Sequence, residues 1–284
     1  MKPKAERQIT VVKCGGHASL DPTAICADVA KLSAAGHRIV LVHGGSAEIK
    51  RLAARLKVPM RRMTSPEGMS ARYTDAATLE VVSLALAGVV QPRLVSELLS
   101  DGTPAVGLTG VQGALIRARR RKAQRALVRA KQVIIRGDHS GRITQVNSKL
   151  LYTLIDAGFV PVISPPVLGE DSSVLNADAD RVAAAVAGAL RATTLVLLTG
   201  APGVLADPDD PQSVLRVCPV PREGPPLQRD QGIGVKLLAA RDALQAGVPT
   251  VLIAAGSGPE PLLRALVGAA TRVTLSPAVA VSTP

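Results

Sequence analysis

The chain has 284 residues, 47% of them hydrophobic and 20% charged, so a sizeable core is available and wholesale disorder is excluded. The 34 basic and 22 acidic residues leave a net charge of +12, which points to an anionic substrate or partner. Tyr73, Tyr152 and Phe159 are the only aromatic residues, which argues against stacking platforms for single-stranded nucleic acid.

Cys14, Cys26 and Cys218 are scattered without a CxxC pair. Neither a disulfide scaffold nor a zinc site is expected, and a reducing cytoplasm is the expected location. The first eight residues are polar and charged, unlike a signal peptide. No uninterrupted apolar run reaches the ~18 residues of a membrane span; the stretch from Val182 comes nearest, and Arg191 breaks it.

In chain order, apolar runs of strand length alternate with helical periodicity. Strands are predicted over 9–13, 38–42, 105–108, 160–164, 194–198 and 250–254. Helices are predicted over 21–35, 47–57, 78–100, 179–190, 235–246 and 261–267. Short apolar strands between helices predict a three-layer αβα sandwich on a mostly parallel sheet, with ligands at the C-terminal strand ends. Between 115 and 146 the pattern changes. Val133–Ile135 and Arg142–Val146 flank the turn residues 137–141, which predicts an antiparallel β-hairpin insertion laid on the sandwich. Residues 206–230 read as a surface loop rich in Pro and Asp, and the tail from Ser276 is expected to fray. The expected organisation is one domain over 9–275, with an N-terminal lobe (9–168) and a C-terminal lobe (169–275) between short tails.

Gly15-Gly16 and Gly44-Gly45 each stand between a predicted strand and a helix, where backbone N–H groups can approach an anion closely. Lys13 ends the first of those strands. Gly234 and Lys236 lie where another helix begins, and Thr199, Gly200 and Gly203 follow the strand at 194–198. Asn176-Ala177-Asp178 precedes an Ala-rich helix, as an N-cap does, and either Asp178 or Asp180 could cap while orienting a lysine. There is no GxxxxGK[ST] phosphate loop, and no GxGxxG sits in a dinucleotide-binding context. Cys14 reads as a packed residue, and His43 as a partner of its own loop, not a catalyst.

Taken together, Val12-Lys13-Cys14-Gly15-Gly16, His43-Gly44-Gly45-Ser46, Ser70-Ala71-Arg72-Tyr73-Thr74-Asp75, Asn176-Ala177-Asp178, Leu198–Leu205 and Gly234-Val235-Lys236 resemble the amino acid kinase family, acetylglutamate kinase branch. The resemblance runs in order over nearly the whole chain. It implies ATP-dependent phosphorylation of a carboxylate to an acyl phosphate, a reaction of positioning and charge neutralisation. On this resemblance Lys13 bridges the transferring phosphoryl group, Lys236 stabilises the leaving side, and Asp178 holds both lysines. Gly16, Gly44, Gly45, Ser46, Arg72 and Asn176 belong to the acyl substrate, with Arg72 clamping a carboxylate. Gly15, Thr199, Gly200, Gly203 and Gly234 belong to the nucleotide. Mg²⁺ is expected on ATP's own phosphates, with no dedicated metal ligand.

Two departures refine the acceptor. Position 46 is Ser where acetylglutamate kinases carry a third Gly, and Val174 replaces an Asn that grips the acetylated amino acid. His43–Glu48, Ser70-Ala71-Arg72 and Arg136–Gly141 instead resemble a sister group. Those kinases phosphorylate 2-aminoadipate or glutamate carried by a small acidic amino-group carrier protein, in lysine or arginine biosynthesis.

The charge pattern supports that partner separately. Between Gly102 and Gly137 there is no acidic residue, yet Arg117, Arg119, Arg120, Arg121, Lys122, Arg125, Arg129, Lys131 and Arg136 all fall there. This basic segment, 117–136, is the expected docking surface. Conventional N-acetyl-L-glutamate kinase is the alternative enzyme. A catalytically silent protein binding the carrier or nucleic acid is the alternative class, opposed by the retained Lys13, Asp178 and Lys236. The resemblance also implies a homodimer through the N-terminal half, without an arginine feedback site.

Overall fold

The computed structural model describes residues 8–65, 68, 70–121, 123–128, 131–226 and 232–277. The predicted tails lie mostly outside these residues, as do Lys122, Arg129 and the end of the predicted 206–230 loop.

The chain opens with β1 (Ile9–Cys14), α1 (Pro22–Ala34), β2 (Arg38–His43) and α2 (Ser46–Arg55). Two short strands, β3 (Arg62–Thr64) and β4 (Ser70–Arg72), lead into α3 (Ala76–Ser83) and α4 (Gln91–Ser100). Next come β5 (Ala105–Gly110), β6 (Ile116–Arg120), β7 (Ala123–Val128), β8 (Lys131–Arg136) and β9 (Gly141–Val146). The remainder is α5 (Ser148–Asp156), β10 (Val160–Gly169), β11 (Val174–Leu175), α6 (Ala179–Ala189), β12 (Thr194–Thr199), β13 (Val217–Val220), α7 (Ile233–Gln245), β14 (Thr250–Ala255), α8 (Pro261–Leu266) and β15 (Thr271–Leu275).

One sheet runs through the molecule in the order β13-β15-β14-β12-β1-β2-β10-β6-β9, with β5 and β11 also pairing with β10. Its central pairs, β14–β12–β1–β2–β10–β5, are parallel. Alternation along each strand feeds two cores. Ile9, Val11, Val40, Val42, Leu195 and Leu197 pack towards α5, α6 and α7. Val12, Ile39, Leu41, Val196 and Leu198 pack towards α1, α4 and α8. The result is the expected αβα sandwich. The same alternation decides the chemistry: Lys13 continues the Ile9–Val11 face and so meets the start of α6.

The insertion pairs differently from expectation. Strand β8 does not pair with β9 across 137–141; it pairs back with β7, and β9 pairs with β6. The cause is burial. Ile116 and Ala118 are fully buried, and Ile143 and Val146 pack beside them, whereas Val133 and Ile134 lie on the surface. Strands β4-β3-β7-β8 form a separate small sheet.

The region 206–230 is not all loop, because β13 buries alternate residues Cys218 and Val220. Residues 76–100 form a continuous helical stretch of 25 residues, long and apolar enough to cross a membrane by length and composition. Its Val81, Val82, Ala85, Leu86, Leu94 and Leu98 are buried in the cores. It widens into π geometry over Leu84–Val90, just before Pro92, whose ring cannot supply the normal helical N–H.

Candidate active site

Three helix starts meet the C-terminal ends of β1, β2 and β12. Helix α2 begins after Gly45, α6 after Asp178, and α7 after Gly232. Each brings the positive end of its helix dipole to the cleft, so the space between them suits phosphate.

The two glycine turns are locked together. Gly44 N–H donates to Cys14 O at 3.1 Å and Ala47 N–H to Gly16 O at 2.8 Å. The Ser46 hydroxyl also donates to Gly16 O, at 2.7 Å, so it braces the two turns. A Cβ on Gly16 would lie 2.2 Å from Gly45 N, so no other residue fits there without moving backbone. Gly200 is also close to the 17–19 turn: a Cβ there would lie 2.6 Å from Ser19 Oγ. Gly203 packs against Thr271, and Gly234 is buried in the first turn of α7. Thr199 ends β12, its carbonyl accepting from Gly256 N–H at 2.8 Å. Gly15 sits against the Leu198 carbonyl.

At the cleft floor Lys13 Nζ lies 2.8 Å from Asp180 Oδ1, and Lys236 Nζ lies 3.0 Å from Asp180 Oδ2. Asp180, not Asp178, therefore holds both lysines. Asp178 is the N-cap of α6: its Oδ1 accepts from the N–H groups of Asp180 at 2.9 Å and Arg181 at 3.2 Å. Asp178 stands before the helix in extended conformation while Asp180 lies in its first turn, so the two side chains leave the backbone in different directions. Burial alone would pull the Lys13 ammonium down, but Asp180, through its charge and hydrogen bond, with a smaller contribution from Asp178, makes the net shift upward. Burial likewise opposes ionisation of Asp180, and its two lysines reverse that, holding it below the ordinary carboxylate range. The floor is thus two cations sharing one anion, a net positive charge beneath three helix N-termini.

On the other side, Arg72 ends β4 and makes no ion pair among the described residues. Burial and neighbouring Arg62 lower its affinity for its proton, whereas Asp178 raises it. Asn176 Nδ2 donates to Thr74 Oγ1 at 3.1 Å. Arg72 and Asn176 thus come together through the Tyr73-Thr74 turn.

Cys14 and His43 follow the structural reading. Cys14 is buried, and burial pushes its thiol up to about 11. His43 is fully buried with Nδ1 at 3.1 Å from Gly44 O, and burial pulls its imidazole down to about 4. The sequence leaves Asp178 and Asp180 open as the cap that orients a lysine, the resemblance assigns the lysines to Asp178, and neither gives Thr74 a role. The signal for Asp180 was its position in the first turn of a helix whose start faces a lysine-bearing strand.

The model of the amino acid kinase family matches residues 8–255. A LysW-aminoadipate kinase of Thermus thermophilus is 38% identical over 266 residues, covering 93% of this chain and 99% of its own length. One of Deinococcus radiodurans is 37% identical, covering 93% and 91%. An acetylglutamate kinase of Methanocella arvoryzae is 35% identical, covering 96% and 93%. Among solved structures, Giardia carbamate kinase superposes with a TM-score of 0.64 at 16% identity, covering 96% of this chain and all of that one. An isopentenyl phosphate kinase superposes at 0.63 and 19%, covering 94% of this chain; both show the fold alone. The chain belongs to the amino acid kinase family. It is an ATP-dependent phosphotransferase whose acceptor is a carboxyl group.

Proposed function

We propose that this kinase phosphorylates the side-chain carboxylate of 2-aminoadipate, or glutamate, attached to a small acidic amino-group carrier protein, giving an acyl phosphate. The observation that carries the reaction is the Lys13–Asp180–Lys236 array at the meeting of three helix N-termini. A carboxylate is ionised near neutral pH, so no general base is needed. The acceptor oxygen attacks the γ-phosphorus, the bond to the β-phosphate oxygen breaks, and ADP leaves. Lys13 faces the transferring group from the 9–168 side, and Lys236 meets the leaving oxygens from the 169–275 side. Asp180 keeps both ammonium groups charged and in register. Backbone N–H groups of Gly16 and Gly45 hold phosphoryl oxygens, while Gly44, whose N–H is engaged by Cys14 O, shapes the turn; Arg72 and Asn176 hold the acceptor. Thr199, Gly200 and Gly203 line the nucleotide, with Gly15 and Gly234 allowing its close approach. Mg²⁺ arrives on ATP's phosphates; the site's acids, Asp178 and Asp180, are already engaged by N–H groups and lysines.

The carrier reading draws on the names of the relatives and on the small sheet that adjoins Arg72. Strand β3 pairs with both β4 and β7, so the surface bearing exposed Arg125, Ile134 and Arg136 continues into the acceptor side. The basic segment is only partly free of counter-charge. Arg119 pairs with Glu170 at 3.0 Å, and Arg120 donates to Asp138 O. Arg121, Arg125 and Arg136 form no ion pair among the described residues, and they are the cations assigned to docking. Leu84 and Leu99, 47% and 54% exposed on the 76–100 helix, are the contact assigned to a homodimer through the N-terminal half.

Replacing Arg121, Arg125 and Arg136 by Gln tests the docking. The expected result is a fall of about tenfold or more in kcat/KM for a carrier-linked acceptor, with a shallower salt dependence. Turnover of free N-acetylglutamate should not change. Equal loss on both acceptors would remove the carrier from this surface.

A further inference from the structure

We propose that Asp138 is a positioning residue for the acceptor, setting Arg72 and Asn176 in one geometry through Thr74. The inference rests on the reading of Arg72 and Asn176 as acceptor-binding groups.

Asp138 is 1% exposed and lies between β8 and β9, outside the cleft floor. Its Oδ1 accepts from Thr74 N–H at 2.8 Å and from the Ser140 hydroxyl at 3.2 Å. Its Oδ2 accepts from Gln124 Nε2 of β7. No ion pair neutralises it among the described residues. A buried acid is costly unless its lone pairs are filled, and apolar packing often replaces such a group at no loss of stability. Stability is therefore a weak reason for a carboxylate here.

What it joins supplies a better one. Gln124 belongs to the small sheet, Thr74 follows the β4 strand that carries Arg72, and Ser140 leads into β9 of the main sheet. Thr74 is fully buried and engaged at every polar atom. Its N–H goes to Asp138, its carbonyl accepts from His139 N–H at 2.7 Å, and its hydroxyl accepts from Asn176 Nδ2. Asn176 is held in turn by backbone bonds to His139 O at 2.8 Å and from Gly141 N–H at 2.9 Å. Both acceptor groups thus hang from the residue that Asp138 fixes. Releasing it loosens the small sheet against the main one where the acceptor enters, and leaves the Lys13–Asp180–Lys236 array untouched.

The test compares Asp138→Ala and Asp138→Asn in the full chain. Steady-state kinetics would use ATP with N-acetylglutamate and with a carrier-linked 2-aminoadipate, and hydrogen exchange would be read without substrate. Asp138→Ala should raise the acceptor KM about tenfold or more while the ATP KM stays within about twofold. Asp138→Asn, which keeps an acceptor oxygen for Thr74, should recover most of the loss. Exchange should quicken at residues 70–76 and 138–141 and stay unchanged in β1. Equal changes in both KM values, an unchanged acceptor KM, or unchanged protection at Thr74 would each overturn the proposal. If the wild-type chain turned over neither acceptor, the acceptor reading would fail on its own account. The exchange data would still decide whether Asp138 organises Thr74 and its neighbours.

Discussion

At the residue scale, the proposed catalysis turns on which of two acids meets the lysines. The chain offers Asp178 and Asp180 with the same chemistry, and backbone conformation separates them. Asp178 adopts the extended backbone of an N-cap, while Asp180, inside the first turn, projects between Lys13 and Lys236. Asp180→Asn should cut kcat roughly 10²–10³-fold, because two ammonium groups lose their shared counter-charge. Asp178→Asn keeps a capping oxygen and should stay within about threefold. Steady-state rates of the two variants check this, and the opposite ranking would return the role to Asp178.

His43 gives a pH signature at the same scale. The folded protein resists protonating this imidazole until about pH 4, whereas the unfolded chain takes the proton near pH 6.5. The unfolded state therefore binds more protons in that window, and stability falls as pH drops through it. By pH 5 the loss is roughly 2 kcal/mol. Urea unfolding at pH 7 and pH 5 should show that difference in the wild type and not in His43→Gln. An equal loss in both would place the acid sensitivity elsewhere.

At the element scale, the legible parts were those with strong periodicity. Strands β1, β2, β12 and β14 are short apolar runs between amphipathic helices, and their glycine turns mark the sheet's ligand edge. Strands β6 and β7 were hidden, because IRARR and AQRALV alternate arginine with small residues and read as charge before they read as strand. Pairing in the insertion could not be deduced from the turn at 137–141, since burial of Ile116 and Ala118 beside Ile143 outweighs the local hairpin signal. Strands β3 and β4 have three residues each, below the length at which alternation can be counted. Helix α5 was not predicted although Asn147 caps it, its Oδ1 accepting from Leu150 N–H at 3.2 Å. Lys13 was legible as a site residue from its place at a strand end. The Asp138–Thr74 linkage was not, because it joins residues 64 positions apart.

At the scale of the whole molecule, the excess of positive charge has two destinations. Lys13 and Lys236 lie inside, neutralised in part by Asp180 and suited to phosphate. Arg121, Arg125 and Arg136 lie outside, on or beside the small sheet that adjoins the acceptor side. A free small acceptor would need only the first set. An acidic carrier would be steered by the second, which gives the basic face of the small sheet a purpose. The decisive measurement is ATP-dependent acyl-phosphate formation, trapped as hydroxamate, with two acceptors side by side. One is free N-acetylglutamate, and the other is 2-aminoadipate amide-linked to the C-terminus of a small acidic carrier. This account predicts turnover of the carrier-linked acceptor well above that of free N-acetylglutamate. Turnover of free N-acetylglutamate, with none on the carrier, would contradict it and make the basic face ordinary solvated surface.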